Sequence, residues 1–343
     1  MRSSFVAGIA VIALFSMALA QDSGPYKVLR TVKTGGAGGF DYVYADAAGR
    51  RLYIPRTGNP ARIIVFDLDS LQPVSEITGV NARGAAVSAK SSHGFASSKP
   101  LAMWDSKTLA LDKKIDVEGG PDGIMYDGFN DRVWVFSHSM PHATIINAND
   151  GSIAGTIADL GGAPEQAASD GKGHIYVDIE DKNNIAVVDA KALSVTGHYD
   201  ISGSGGTCAG LAMDVKNNIL FAACRNPAKM VILSAADGKV ITTLPIGTGT
   251  DGAVFNPSTM EAFSSQGDGT LTVVKENSPT SFAVEQTVKT MVSAKTLTLD
   301  SKTGHILLIA AEYGAPTTPP PPGRGPGRGP MVPDSFTILE VGK

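Results

Sequence analysis

Apolar residues along this chain gather in short runs, each closed by a polar residue and followed by a turn and another short run. The runs read IIVFD (63–67), LAMWD (101–105), TIIN (144–147), AVVD (186–189), VILS (231–234), TVVK (272–275) and TILE (337–340). Their closing residues are Asp67, Asp105, Asn147, Asp189, Ser234, Lys275 and Glu340, spaced by 38, 42, 42, 45, 41 and 65 positions. The last interval contains a proline-rich insert of about 22 residues, and without it the spacing returns to about 43. A repeat of about 40–45 residues carrying four short strands is the pattern of a β-propeller blade. β-branched and aromatic residues in the runs, and Asp-Gly, Asn-Asn and Gly-Gly between them, support strands joined by tight turns.

Each run is preceded by a hairpin. DYVYAD (41–46) leads to RRLYIP (50–55), GIMYD (123–127) to RVWVF (132–136), and GLAMD (210–214) to ILFAA (219–223). This counting yields seven inner strands, beginning near Asp41, Arg83, Asp122, Glu165, Cys208, Asp251 and Lys295, and seven third strands. Only six outer strands follow them, while one strand, Tyr26–Val32, has no place in any repeat. Pairing it beside Phe336–Val341 closes the ring and removes two sheet edges. The sequence therefore predicts an all-β, seven-bladed propeller of four-stranded antiparallel blades, the last closed by the N-terminal strand. Six or eight blades are the less favoured counts. The unit spans 21–343, with 315–333 inserted in the last blade.

The N-terminus changes the setting. Arg2 precedes an apolar run from Phe5 to Phe15, then Ala18-Leu19-Ala20, the pattern of a signal peptide (1–20) cut before Gln21. The run is too short to span a bilayer, which takes about 20 residues. An uncleaved N-terminal anchor is the alternative. The expected location is periplasmic or extracellular, with no membrane span in the mature chain. Without Arg2 the chain carries 28 Lys+Arg against 33 Asp+Glu, so it has no global basic footprint for nucleic acid.

The phrases IAVVDAKALSVTGHYDI, MVILSAADGKVITTLPIGTGTDGAVFNP and RVWVFSH resemble YVTN-type repeats, and the secreted YncE-like propellers are the most similar group. The resemblance spans the mature chain. The second strands depart from it, reading IYVDIED, LFAACRN and AFSSQGD, and blade 2 (84–98) is degenerate. The resemblance implies the fold and says little about activity.

The repeat register points to one face. Five residues before the polar end of each inner strand stand Asp41, Arg83, Asp122, Glu165, Ala209, Asp251 and Lys295, six of them charged where 18% of the whole chain is. They are expected to ring one mouth of the central channel, as a site for a polar or cationic ligand. The plain alternative is a hydrated rim whose bases pair with neighbouring acids. Loops between second and third strands open on the same face and add Arg56, His138, His142, Glu180, Asp181, Arg225, Asn226, Gln266, Asp268 and Glu312. His138 and His142, with Met140 between them, are weak metal candidates, because Pro141 works against a helical turn that would bring both rings together.

Cys208 and Cys224 fall on neighbouring strands. With a turn centred on 215–218 they sit diagonally, and a disulfide needs a bulge that shifts the register by one. Two thiols are the other outcome. The insert 315–333 offers Arg324 and Arg328 on a proline- and glycine-rich segment at the mouth, as a lid, a tether or a surface loop without a role. No nucleophile elbow, phosphate loop or haem motif occurs. A non-enzymatic, monomeric propeller binding a protein or small ligand at the mouth is the leading expectation. No cofactor is predicted, although the acids could hold a divalent cation. The rivals are a metal-assisted hydrolase or lactonase and an accessory subunit of a periplasmic redox enzyme.

Overall fold

A computed structural model of the chain describes residues 24–316 and 329–343. The stretch read as a signal peptide, and Arg324 and Arg328 of the insert, lie outside the described residues. Among the described residues the strands form seven four-stranded antiparallel sheets. Six sheets take four consecutive strands, and the seventh takes three from the C-terminal end plus Lys27–Lys33. No described helix is long and apolar enough to cross a membrane.

The polar residue that closes most of the runs is a turn former, which is why it recurs, whereas Lys275 bonds the Thr259 carbonyl and Glu340 bonds His305. Asp67 Oδ1 accepts from the Ser70 N–H, Asp105 Oδ1 from Lys107 and Thr108, Asn147 Oδ1 from Asn149, and Asp189 Oδ1 from Lys191 and Ala192. Inner strands end the same way: Asp46, Asp127, Asp170, Asp214, Asn256 and Asp300 each accept a backbone N–H two or three residues on. Short side-chain oxygens satisfy turn amides that the ladder leaves unpaired.

Second and third strands read as unbroken apolar runs because both sheet faces are buried. The core is distributed: seven apolar clusters each join two neighbouring blades, such as Tyr176 and Val187 of blade 4 with Leu220 and Val231 of blade 5. Blade 2 forms four regular strands despite its degenerate sequence. Its Gly94 lies under Trp104, where an added Cβ would stand 2.1 Å from the indole.

One detail differs from the sequence reading, and a second decides an alternative that the reading left open. The inner strand of blade 1 is only Tyr44–Asp46, and Asp41 precedes it in a loop. The cause is a sideways pairing, in which the Tyr42 N–H donates to the Arg83 carbonyl of blade 2 at 3.1 Å. In blade 5 the register shifts between Cys208 and Gly210, which sets Cys208 opposite Cys224, and the two form a disulfide. Gly205 lies against that bridge, its would-be Cβ 2.8 Å from Cys224 Sγ.

Closure is latched by buried polar groups. Lys33 pairs with Thr337 and Lys27 with Gly342. Glu261 of blade 6, fully buried, accepts from the Tyr26 hydroxyl and lies 3.0 Å from Lys343 Nζ, so the two strands of the ladder are tied at their Lys27–Gly342 end to one carboxylate. Tyr26→Phe keeps the ring packed edge-on against Phe263 but removes a donor to this carboxylate. The expected loss is about 1–3 kcal/mol, read as a lower urea midpoint with an unchanged slope. An unchanged midpoint would mean that the latch contributes nothing. Reducing the disulfide, which closes a loop of sequence separation 16, is expected to cost about 3 kcal/mol. Urea melts with and without reductant, alongside thiol titration, measure it.

Candidate functional site

Every blade sends at least one charged side chain to the same mouth of the channel, and together they close a ring. Arg83 Nη1 donates to Asp41 Oδ2 at 2.9 Å, and Asp41 Oδ1 lies 3.5 Å from Lys295 Nζ. Lys295 pairs with Asp251, and Asp251 with Arg225. Arg225 donates to Glu180 Oε1 at 2.5 Å. Glu180 lies beside Glu165, their ligand atoms within 4.8 Å of each other. His138 Nε2 stands 3.4 Å from Glu165 Oε1 and 3.5 Å from Asp122 Oδ2, and Asp122 returns to Arg83 at 3.5 Å.

All six residues expected at the mouth are in this ring. The blade 5 position, Ala209, carries no charge, and its place is taken by Arg225 at the end of that blade's second strand (Ile219–Arg225). The neighbouring Cys224 ties this strand to Cys208, and the Arg225 N–H donates to the Thr207 carbonyl at 3.1 Å. Nε bonds the Thr250 carbonyl, so the guanidinium is aimed between Glu180 of blade 4 and Asp251 of blade 6. His138 is placed by Ser137, whose hydroxyl accepts from the Gly120 N–H and donates to the Ser139 carbonyl.

Two residues expected on the mouth loops are buried instead, and a third, Glu312, stays on its loop outside the ring. Arg56 is fully buried, its guanidinium over the Phe336 ring at 3.8 Å and bonded to the carbonyls of Gly35, Gly36 and Gly38. Burial, then the charge of Arg62, lowers its pKa to about 10. Gln266 is also fully buried and bonds Thr270, Thr272 and the Ser264 carbonyl. Both end a second strand whose last residue turns into packed structure. Glu312 is exposed, and its backbone pairs with Val332 and Ser335 at the base of the insert. The two histidines do not act as a pair: His142 Nδ1 accepts the Leu160 N–H at 3.1 Å and faces Asp159.

The sequence reading missed three members. The Tyr42 hydroxyl donates to Glu165 Oε2 at 3.2 Å. Gln166 stitches three inner strands, accepting from Leu211 and Ala253 and donating to the Ala253 carbonyl. Asp178 is fully buried, with neither carboxylate oxygen hydrogen-bonded among the described residues. Only its being an acid inside an apolar run, HIYVDI, marked it in advance.

Proton affinities follow from this crowding. Burial, then Glu165 and Glu180, holds Asp178 well above the carboxylate range. Burial also lifts Asp122 to about 6, with Arg83 opposing. Glu180 rises to about 7 through burial and its bond to Glu165. Burial raises Glu165 too, but the hydrogen bonds from His138 and Glu180 outweigh it and leave it below its ordinary value. The bond to Glu165, followed by the charges of Glu165 and Asp122, pushes His138 up to about 9.

Below the ring lies a cavity of about 240 Å³ lined by Tyr42, Tyr44, Met125, Tyr126, Leu297 and Glu165. On the mouth face itself, over blades 1 to 3, is a polar groove of about 460 Å³ that includes Phe40, Asp41, Arg83, Ser98 and Lys99.

With this geometry in view, no family model and no curated protein matches the chain. Solved structures do. A chain of the structure titled "Crystal Structure of Mitotic Checkpoint Complex" has a TM-score of 0.72 at 9% identity, with 99% of this chain and 97% of that one covered. The RRP9 WD40 repeats give 0.70 at 10% identity, covering 94% and 99%. The fold is that of a seven-bladed β-propeller. At such identities the likeness extends to the fold alone.

The His138 shift has a sign that can be checked. A histidine whose folded pKa is raised adds stability that is full below about 6.5 and is lost as pH rises through about 9. By NMR in EDTA, the His138 imidazole is expected to titrate near 9. In Glu165→Gln its midpoint should fall back toward about 6.5. A wild-type midpoint already near that value would show that the pairing does not form.

Proposed function

We propose that this chain is a secreted binding propeller of the YVTN type that performs no chemistry of its own and docks a partner protein on its channel-mouth face. One observation carries the reading: the two most exposed large apolar side chains described, Met140 and Val292 at 67% and 68%, both sit in loops of that face. Met140 is two residues from His138, and Val292 three from Lys295. Apolar side chains held in water beside a fixed polar rim are the anatomy of a docking surface. The ring supports binding over chemistry, since most of its charges are engaged by one another. Secretion is supported by the N-terminal charge–apolar–small pattern and by the disulfide, which persists in oxidising compartments. One of the structurally similar proteins is, by its title, part of a complex.

Capture from an extracytoplasmic extract tests the reading. Wild type and Val74→Asp, on an outer strand, are expected to retain the same partner, and Met140→Asp/Val292→Asp to lose it. Equal retention by all three, or none by wild type, would count against docking at this face.

A further inference from the structure

Around the ring, charges alternate in sign at every step but one. From Arg83 the order is Asp41, Lys295, Asp251, Arg225, Glu180, Glu165, His138 and Asp122, then back to Arg83. Nine members cannot alternate, and the break falls where Glu180 meets Glu165. Two carboxylates in contact repel strongly unless a proton or a cation lies between them.

The same corner is the one group among the described residues with the ligand atoms of a metal site. Atoms of His138, Glu165 and Glu180 lie within 4.8 Å of one another. The His138 Nε2 to Glu165 Oε1 distance of 3.4 Å matches the edge of a tetrahedron built on bonds of about 2.1 Å. Asp122 Oδ2 approaches the same nitrogen at 3.5 Å, within reach of a small adjustment.

A second observation stands apart from this cluster. Asp178 is fully buried and has no hydrogen bond among the described residues on either oxygen. It is two residues before Glu180, on the same face of its strand, and the charges that act on it are those of Glu165, Glu180 and Arg225. A third carboxyl group behind these two, its proton affinity raised by burial and by them, adds to the demand for positive charge at this one corner. Arg225 answers part of it, but it is shared with Asp251.

We propose that the channel mouth binds one divalent transition-type cation, of the zinc or manganese class, through His138 Nε2 and the carboxylates of Glu165 and Glu180. The cation is the tenth member that restores alternation. One nitrogen and two oxygens suit zinc or manganese better than calcium or magnesium, which favour all-oxygen sets. Three protein ligands leave a coordination position for water or a ligand, and the half-exposed His138 side chain opens that side to solvent. Asp178 sits behind this site and takes no part in coordination. His142 takes no part.

The test is equilibrium dialysis of the untagged mature protein, stripped with EDTA, against Zn²⁺, Mn²⁺ and Ca²⁺. Wild type is expected to bind one equivalent of Zn²⁺ or Mn²⁺. The dissociation constant should rise about tenfold or more in Glu165→Gln and Glu180→Gln and be unchanged in His142→Ala. Added metal should raise the melting temperature of wild type and not of the two glutamine variants. If those variants do not fold, His138→Ala, in an exposed loop, takes the same readout. The proposal is overturned if wild type binds no stoichiometric Zn²⁺ or Mn²⁺, if only Ca²⁺ binds, if the ligand variants bind as well as wild type, or if His142→Ala weakens binding equally. Loss of docking by Met140→Asp/Val292→Asp with metal binding intact would separate this site from the proposed partner surface.

Discussion

Ring closure forces strand beginnings from seven blades around one narrow axis, and most other features of the mouth follow from that crowding. Inner strands that would place their first side chains in open water on a flat sheet here place them within ion-pair distance of the next blade. At an effective dielectric of about 20, two unit charges 4 Å apart interact by about 4 kcal/mol, so neighbouring signs cannot be arbitrary. Alternation of Arg83, Asp41, Lys295, Asp251 and Arg225 is the arrangement that such a radius tolerates. The blade without a charge at its strand beginning would interrupt it. Blade 5 repairs this with Arg225, and the bulge and disulfide below hold the strand end that carries it.

The same closure explains why the molecule has no single core. Each blade buries both faces against its neighbours, so apolar contact is shared among seven interfaces, and each interface relies on the ones beside it. Opening any one would expose two sheets and release the axis that keeps the charges together. The join between first and last strands is the interface at which chain connectivity gives no help. Tyr26, Lys343 and Glu261 meet there, with Gln286 holding the Tyr26 backbone on both its N–H and its carbonyl.

What could be read from the chain beforehand was local or periodic. Asp67, Asp105 and Asp189 recur because a two- or three-residue turn needs a short acceptor, and that need is written beside each strand. Asp41, Arg83, Asp122, Glu165, Asp251 and Lys295 could be placed together because the register carries them to equivalent points. Arg56 and Gln266 were legible only as loop-edge positions. Whether such a side chain points outward depends on a neighbour far away in sequence, and Phe336 and the Gly35–Gly38 carbonyls draw Arg56 inward. Asp178 and Gln166 failed for the same reason, since their roles arise from approach across blades. Cys208 and Cys224 show the boundary: the need for a one-residue bulge was readable, but not whether the strand would make it.

The cavity below the ring bears on what kind of ligand the mouth can accept. Its walls are mostly aromatic and aliphatic, yet its lid is built of paired charges. From the mouth side a small apolar ligand would have to pass the ion-paired ring, and breaking one partner away from a partly buried pair such as Arg225 with Asp251 costs several kcal/mol. Gln166, bonded at both ends across blades 4, 5 and 6, stiffens the floor of that lid. A rigid lid is poorly suited to admitting molecules and well suited to presenting a fixed pattern of charge to something larger. A partner that matched this pattern would meet a surface already ordered, and would lose little entropy in arranging it. This argues for recognition at the rim, with the chamber serving the ring as a low-dielectric support that strengthens its ion pairs.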